Sequence, residues 1–280
     1  MKKTGLTAYQ IKLIALFAMT LDHLGAYGTA IPMISNYSFT LRILGRMAAP
    51  LFLFALTESI HHTHNRFHFI LRLYFASVGV GLFTTLANYL FWDSIGRRSG
   101  TNIMFTYFYV AVYITVIEEF VRAVQNRKIT RVIGCLFITA ATFLAGYVSK
   151  YLRHVASTDL AWDIVDSFIL GPLEVEYSIL FVVMGILMYF PHKIHVKVLI
   201  LAVFSLGCFY GDHFREILLM MSPDPYYAYP QCWMILALPI MLLYNGERGN
   251  GHKYFFYIYY PLHRYLISIV NYACRILLAR

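Results

Sequence analysis

The sequence predicts an all-α protein: a polytopic integral membrane helical bundle with about nine transmembrane helices, within a range of about eight to ten. Three observations carry this. The 280-residue chain is 59% hydrophobic and only 13% charged, with a mean hydropathy of +0.60, values foreign to an ordinary soluble domain of this length. Apolar runs of roughly 20 residues, enough for one helical crossing, recur along the chain. The longest non-apolar stretches, 150–167 and 212–229, are loop-sized and no Ser/Pro-rich linker interrupts the chain, so residues 1–280 read as a single domain.

Taken in order, the spans fall near 9–29, 47–60 with its approach, 70–91, 102–121, 131–149, 173–190, 196–211, 230–245 and 254–278. The first outruns a signal peptide's apolar core and lacks a small-residue cleavage site, so it is expected to be retained. Pro50 opens or bends the second, and Pro261 breaks the highly aromatic last one. The formal charge of +9 fits cytoplasmic loops and anionic lipid rather than nucleic acid, for which no motif is present. A cytoplasmic N-terminus places Arg66, Arg122, Arg127, Lys128, Arg131, Lys193, Lys197, Arg248 and Lys253 inside. Arg42, Arg46, Arg97, Arg98, Lys150, Arg153 and Arg215 then lie outside. The bias is small and favours N-inside, and an odd span count carries the C-terminus out.

Some functions are disfavoured. Cys135, Cys208, Cys232 and Cys274 stand singly with no CxxC spacing, suggesting packing residues rather than a disulfide framework or zinc cage. The two halves show no matched Gly/Pro-broken helices of the kind that mark many secondary transporters. "HHTHNRFH", with His61, His62, His64 and His68 following Glu58, has metal-binding residue types but lies at a span end that a solvated loop explains. No metal is expected.

Charge inside the bilayer is the informative signal, because an Asp, Lys or Arg near a helix centre costs roughly 2.5–3.5 kcal/mol on insertion scales. Lys12 and Arg275 lie near span ends and can snorkel. Asp22, His23, Glu58, Arg72, Asn88, His263 and Arg264 have less excuse, which predicts one polar interior site built from both ends of the chain. In "FAMTLDHLGAYG", Asp22 and His23 point about 100° apart on a helix and so need separate partners. His23 is either a general base, the role an imidazole suits best at neutral pH, or a packing residue. Asp22 balances a cation, with Arg42 or Arg46 of "LRILGRMAAP" the candidates. The guanidinium of Arg46 suits a carboxylate, a phosphate or an oxyanion, or a purely structural pair. "YNGERGNGHKYFF" interleaves glycines with Arg248, His252 and Lys253, a loop able to hold an anion on backbone N–H groups and cations, or simply to connect.

Together, "IKLIALFAMTLDHLG", "LRILGRMAAPLFLFALTES", "THNRFHFILRL", "TNIMFTY", "LYNGERG" and "KYFFYIYYPLHRYL" resemble, in order and spacing, the successive blocks of the TraX family. Only the stretch 122–170 is unmatched. The family takes its name from the conjugation protein that acetylates pilin, and resembles the wider group of polytopic membrane acyltransferases. By position, its DH pair falls on Asp22 and His23, its GR on Gly45 and Arg46, its acidic residue on Glu58 and its RL on Arg72 and Leu73. Its NG falls on Asn245 and Gly246, and its final Pro and His on Pro261 and His263. Ser59 replaces an expected glycine and phenylalanines an expected tyrosine in "FHFILRL", which puts pilin as the acceptor in doubt.

The resemblance implies a bacterial cytoplasmic-membrane enzyme that moves acetyl from acetyl-CoA, a co-substrate, to an amine or hydroxyl on a membrane-presented acceptor, a protein N-terminus such as pilin's or a cell-surface glycan. Catalysis is expected from His23 with Asp22 and Arg46. Arg42, Glu58, Arg72, Asn102, Tyr260 and His263 are expected at the acceptor, and Asn245, Arg248 and Lys253 at the coenzyme. The competing readings are a non-catalytic subunit of a secretion or conjugation assembly, and a proton-coupled transporter.

Overall fold

The computed structural model describes residues 4–95, 102–155, 158–210, 231–251 and 253–278. Arg97, Arg98, Arg215, His252, the 212–229 loop and the side chain of Lys253 lie outside the described residues. Within them the chain is a helical membrane bundle, and its extended pairing is one isolated bridge between Leu6 and Tyr244. Four helical stretches are long and apolar enough to cross a bilayer: Ser38–His61, Arg66–Leu90, Ile103–Gln125 and Ile129–Val155.

Helix α1 (Ala8–Tyr27) starts on a capping box, in which the Thr7 hydroxyl accepts from Gln10 N and the Gln10 amide oxygen accepts from Thr7 N. Two further N–H groups of its first turn, those of Ala8 and Tyr9, donate to the carbonyls of Glu247 and Arg248 at 2.8 and 3.1 Å. At 20 residues it is about 30 Å long, enough for the hydrocarbon core. After the short α2 (Pro32–Ser35), the chain returns antiparallel as α3 (Ser38–Gly45) and α4 (Ala48–His61). The second span is therefore two helices broken at Arg46 and Met47. Pro50 sits in the first turn of α4, where a missing N–H costs nothing.

Helix α5 (Arg66–Ile95) packs against α6 (Ile103–Gln125), and α7 (Ile129–Val155) packs on α6 from the other side. Most of α7 faces outward with Ile, Leu, Phe and Tyr, as a lipid-facing helix should. The stretch expected as the 150–167 loop instead contains the end of α7 and α8 (Asp159–Phe168), which lies along α5. Conversely, 173–177, expected inside a span, is irregular. Residues 169–177 run non-helically past the first two turns of α6 before α9 (Ser178–Tyr189) begins. Bare backbone is tolerated at such depth only inside protein. Here Leu170 is 2% exposed, and the carbonyls of Leu170 and Glu176 accept from Tyr109 and Thr106.

Helix α10 (Ile194–Tyr210) follows; a 3-10 turn (Gln231–Ala237) then leads into α11 (Leu238–Leu242) and α12 (Lys253–Leu278). Pro261 does not break the last helix, which continues through it. Contacts of Tyr9 with Phe256, Thr20 with Tyr259 and Ala30 with Asn271 show that α12 runs parallel to α1 along its whole length. The core lies where α4, α6 and α9 meet, around Leu53, Phe54, Val110 and Met184.

Candidate functional site

The site begins with a close helix crossing. A Cβ on Gly45 would lie 2.3 Å from the Cβ of Asp22, and one on Gly25 would lie 2.6 Å from the carbonyl oxygen of Ser38. Glycine at both positions lets α1 and α3 touch backbone to backbone. That contact sets Asp22 beside Arg46, whose Nη2 donates to Asp22 Oδ1 at 2.5 Å. Arg46 is already committed elsewhere as well, through Nε to the Arg42 carbonyl at 3.4 Å and Nη1 to Gln231 Oε1 at 3.2 Å. Arg46 therefore holds Asp22 from behind, and Asp22 faces the pocket.

On the next face of α1, His23 Nδ1 lies 2.6 Å from His263 Nε2 of α12. His263 Nδ1 lies 2.7 Å from the carbonyl oxygen of Tyr259, and the Tyr259 ring is nearly parallel to His263 at 4.9 Å between centroids. Tyr259 is itself fixed by a 2.9 Å hydroxyl contact with Thr20. For two neutral imidazoles this geometry dictates the tautomers. A carbonyl only accepts, so His263 carries its proton on Nδ1 and presents a bare Nε2. His23 must then donate from Nδ1, which leaves its own Nε2 with a free lone pair. That is the protonation pattern of a general base.

Asp22, His23 and Gly45 line a partly open pocket. The rest of its wall is largely aromatic and apolar, with Phe52 from α4, Tyr107 from α6, and Phe256 and Tyr260 from α12, while the irregular 169–177 segment adds Tyr177 and the acidic Glu176. Tyr177 and Ser178 both have positive φ, 64° and 65°, a strained backbone costing on the order of 1–3 kcal/mol per residue. The strain turns the chain so that Glu176 and Tyr177 reach the pocket just before α9 starts. The hydroxyl of Tyr107, a residue 6% exposed, is buried without a hydrogen-bond partner among the described residues. Leaving such a group unsatisfied costs about 1–3 kcal/mol.

The interior site expected as one is divided. Tyr260 lines the pocket; Arg42 and His263 stand behind it. Glu58 does not join them. It pairs with Lys197, a residue read as a loop cation but 3% exposed, at the opposite end of α4. Arg72 is exposed on α5, its guanidinium over the Phe69 ring. Asn102 is the N-cap of α6, accepting from Met104 N at 3.1 Å and donating to the Ser77 carbonyl at 3.2 Å. Asn88 meets Asp163 at 3.3 Å, while Arg264 stacks over Tyr27.

The 244–251 loop also differs from an anion nest. The N–H groups of Asn245 and Glu247 are consumed by the Leu6 carbonyl and by Asn245 Oδ1, so Asn245 braces the loop itself. The glycines serve packing: a Cβ on Gly251 would sit 2.0 Å from the Tyr9 ring. The side chain of Arg248 stays exposed.

Residues 7–271 match the sequence profile of the TraX protein family. The chain belongs to the TraX family. It is also 25% identical over 267 residues to a protein of Dichelobacter nodosus described as probable fimbrial assembly protein FimC, serogroup H1, covering 92% of each chain. No solved structure matches. In this TraX chain, sequence reasoning missed Tyr107, Glu176 and Tyr177. The available signal was "GPLEVEYS", where two glutamates interrupt a run otherwise fit to span.

Proposed function

We propose that this multi-pass membrane protein is an acetyltransferase that transfers acetyl from acetyl-CoA to an amine or hydroxyl on a membrane-presented acceptor, within pilus or fimbrial assembly. The observation that carries the reading is the bond between His23 and His263, which leaves His23 Nε2 basic at a pocket also bordered by Asp22. Family membership and the fimbrial relative support the setting. The acceptor that fits is a pilin-like protein N-terminus or a cell-surface glycan.

In this reading the acceptor nitrogen or oxygen attacks the thioester carbonyl carbon, and its proton passes to His23 Nε2 as the new bond forms. Collapse of the tetrahedral intermediate breaks the C–S bond, and the coenzyme thiolate takes the proton back from His23. Asp22, held by Arg46, orients the acceptor through its N–H or O–H. Exposed Arg248, at the end of the bundle where α1 begins, is placed to meet coenzyme phosphates in solvent. In this reading that end faces the bacterial cytoplasm, where acetyl-CoA is made, in line with the small Lys/Arg bias.

The test is single-turnover and steady-state release of coenzyme A from labelled acetyl-CoA by the protein in proteoliposomes, with pilin peptide or glycan as acceptor. Wild type should transfer label, and His23→Ala should lose about 10²–10⁴-fold in kcat while inserting and purifying normally. A wild-type protein that neither transfers nor cleaves the thioester overturns the reading.

A further inference from the structure

We infer that the Tyr107 hydroxyl is the oxyanion donor of the pocket, giving its hydrogen bond to the acyl oxygen as that oxygen becomes negative in the tetrahedral intermediate. This rests on the acetyltransferase reading above and deepens it. Arg46, the residue whose chemistry suits the role best, spends three of its five N–H donors on Arg42, Gln231 and Asp22 and stands behind the pocket wall rather than in it. Tyr107 lines the same pocket as His23, and its hydroxyl is buried with no hydrogen-bond partner among the described residues. Such groups are rare in folded proteins and call for an explanation.

Its surroundings supply one. A neutral phenol keeps an O–H to donate, and because no group among the described residues has claimed that proton, the bond can form without breaking another. The ring is held on α6, one residue past Thr106, whose hydroxyl ties the helix to the Glu176 carbonyl at 2.8 Å. The same helix begins at the Asn102 cap. A donor fixed in advance beside a largely apolar wall is worth more than one that must reorganise, since it meets the charge only as the charge develops. The division of labour follows: His23 takes the acceptor's proton, Asp22 faces the acceptor, and Tyr107 faces the acyl oxygen. No proton leaves Tyr107; its O–H lengthens toward the oxyanion and recovers when the C–S bond breaks.

The experiment compares wild type, Tyr107→Phe and His23→Ala in proteoliposomes, with acetyl-CoA varied at saturating acceptor and thermal unfolding measured on each. Tyr107→Phe should lower kcat by about 10²–10³-fold, the usual effect of deleting one oxyanion donor. KM for acetyl-CoA should stay within about threefold, because the bond is made in the transition state and not in the ground state. Its unfolding temperature should equal or exceed that of wild type, since the substitution removes an unpaired buried hydroxyl. Wild-type turnover in Tyr107→Phe beside an inactive His23→Ala overturns this inference and leaves acetyl transfer standing. A raised KM at unchanged kcat, or a clear loss of thermal stability, overturns it too, by making the hydroxyl a binding or a structural group. An inactive wild type takes both readings down together.

Discussion

Replacing Arg46 by Gln or Asp22 by Asn removes one half of a pair whose side chains are 8% and 15% exposed and whose N–O distance is 2.5 Å. The surviving charge then sits where α1 and α3 touch, at Gly45, with no room for a new partner to move in. Breaking a buried pair from one side costs about 3–5 kcal/mol. The double variant Asp22→Asn with Arg46→Gln leaves no charge, and its two amides can still bond each other. It should therefore cost about what one single change costs rather than their sum, a coupling of at least about 2 kcal/mol. The assay is equilibrium unfolding in mixed micelles of rising SDS fraction, with four proteins read in one cycle. Additivity within about 0.5 kcal/mol would mean that the pair is not coupled and that Arg46 does not hold Asp22.

Two further outcomes follow from the geometry. His263→Ala should lower kcat about 10²-fold by letting the His23 ring wander, whereas His263→Gln, whose amide oxygen can accept the same Nδ1 proton, should recover a substantial part of that loss; equal activities in the two would dissociate His263 from the tautomer of His23. Gly251→Ala should destabilise the protein by about 1–3 kcal/mol through overpacking against Tyr9, seen as a lower unfolding temperature in detergent, and adding Tyr9→Ala should restore most of it.

The ion pair of Asp22 with Arg46 was legible in the sequence because charges inside a bilayer must neutralise each other and the arginine is close in the chain. The same logic marked His263 as polar, but not its attachment to His23. Periodicity says which face of a helix is apolar, and nothing about which distant helix lies alongside. Glu58 misled for a related reason: its partner Lys197 lies just inside a helix that begins at Ile194, where position alone suggests a solvated cation. The segment 169–177 was hard to read as an irregular stretch because Leu, Pro and Val surround its two glutamates, Glu174 and Glu176, and the apolar run on either side reads on as a span. The glutamates mark the interruption, and the backbone, with positive φ at Tyr177 and Ser178, shows the turn they accompany. Tyr107 is one of 23 tyrosines, and composition does not single out one whose hydroxyl is buried at a pocket without a partner among the described residues.

The two imidazoles that meet behind the pocket wall are 240 positions apart, and this sets an order on biosynthesis. At roughly 5–20 residues per second, Arg46 follows Asp22 within roughly 1–5 s, so the membrane receives that charged pair nearly together. His263 trails His23 by roughly 12–48 s on the same clock. Throughout that interval the nascent chain holds a carboxylate already matched to its cation and an imidazole whose tautomer nothing yet dictates. The final helix therefore acts as a completion signal: a message that ends before it yields a membrane protein with Asp22 already paired to Arg46 and its base unset.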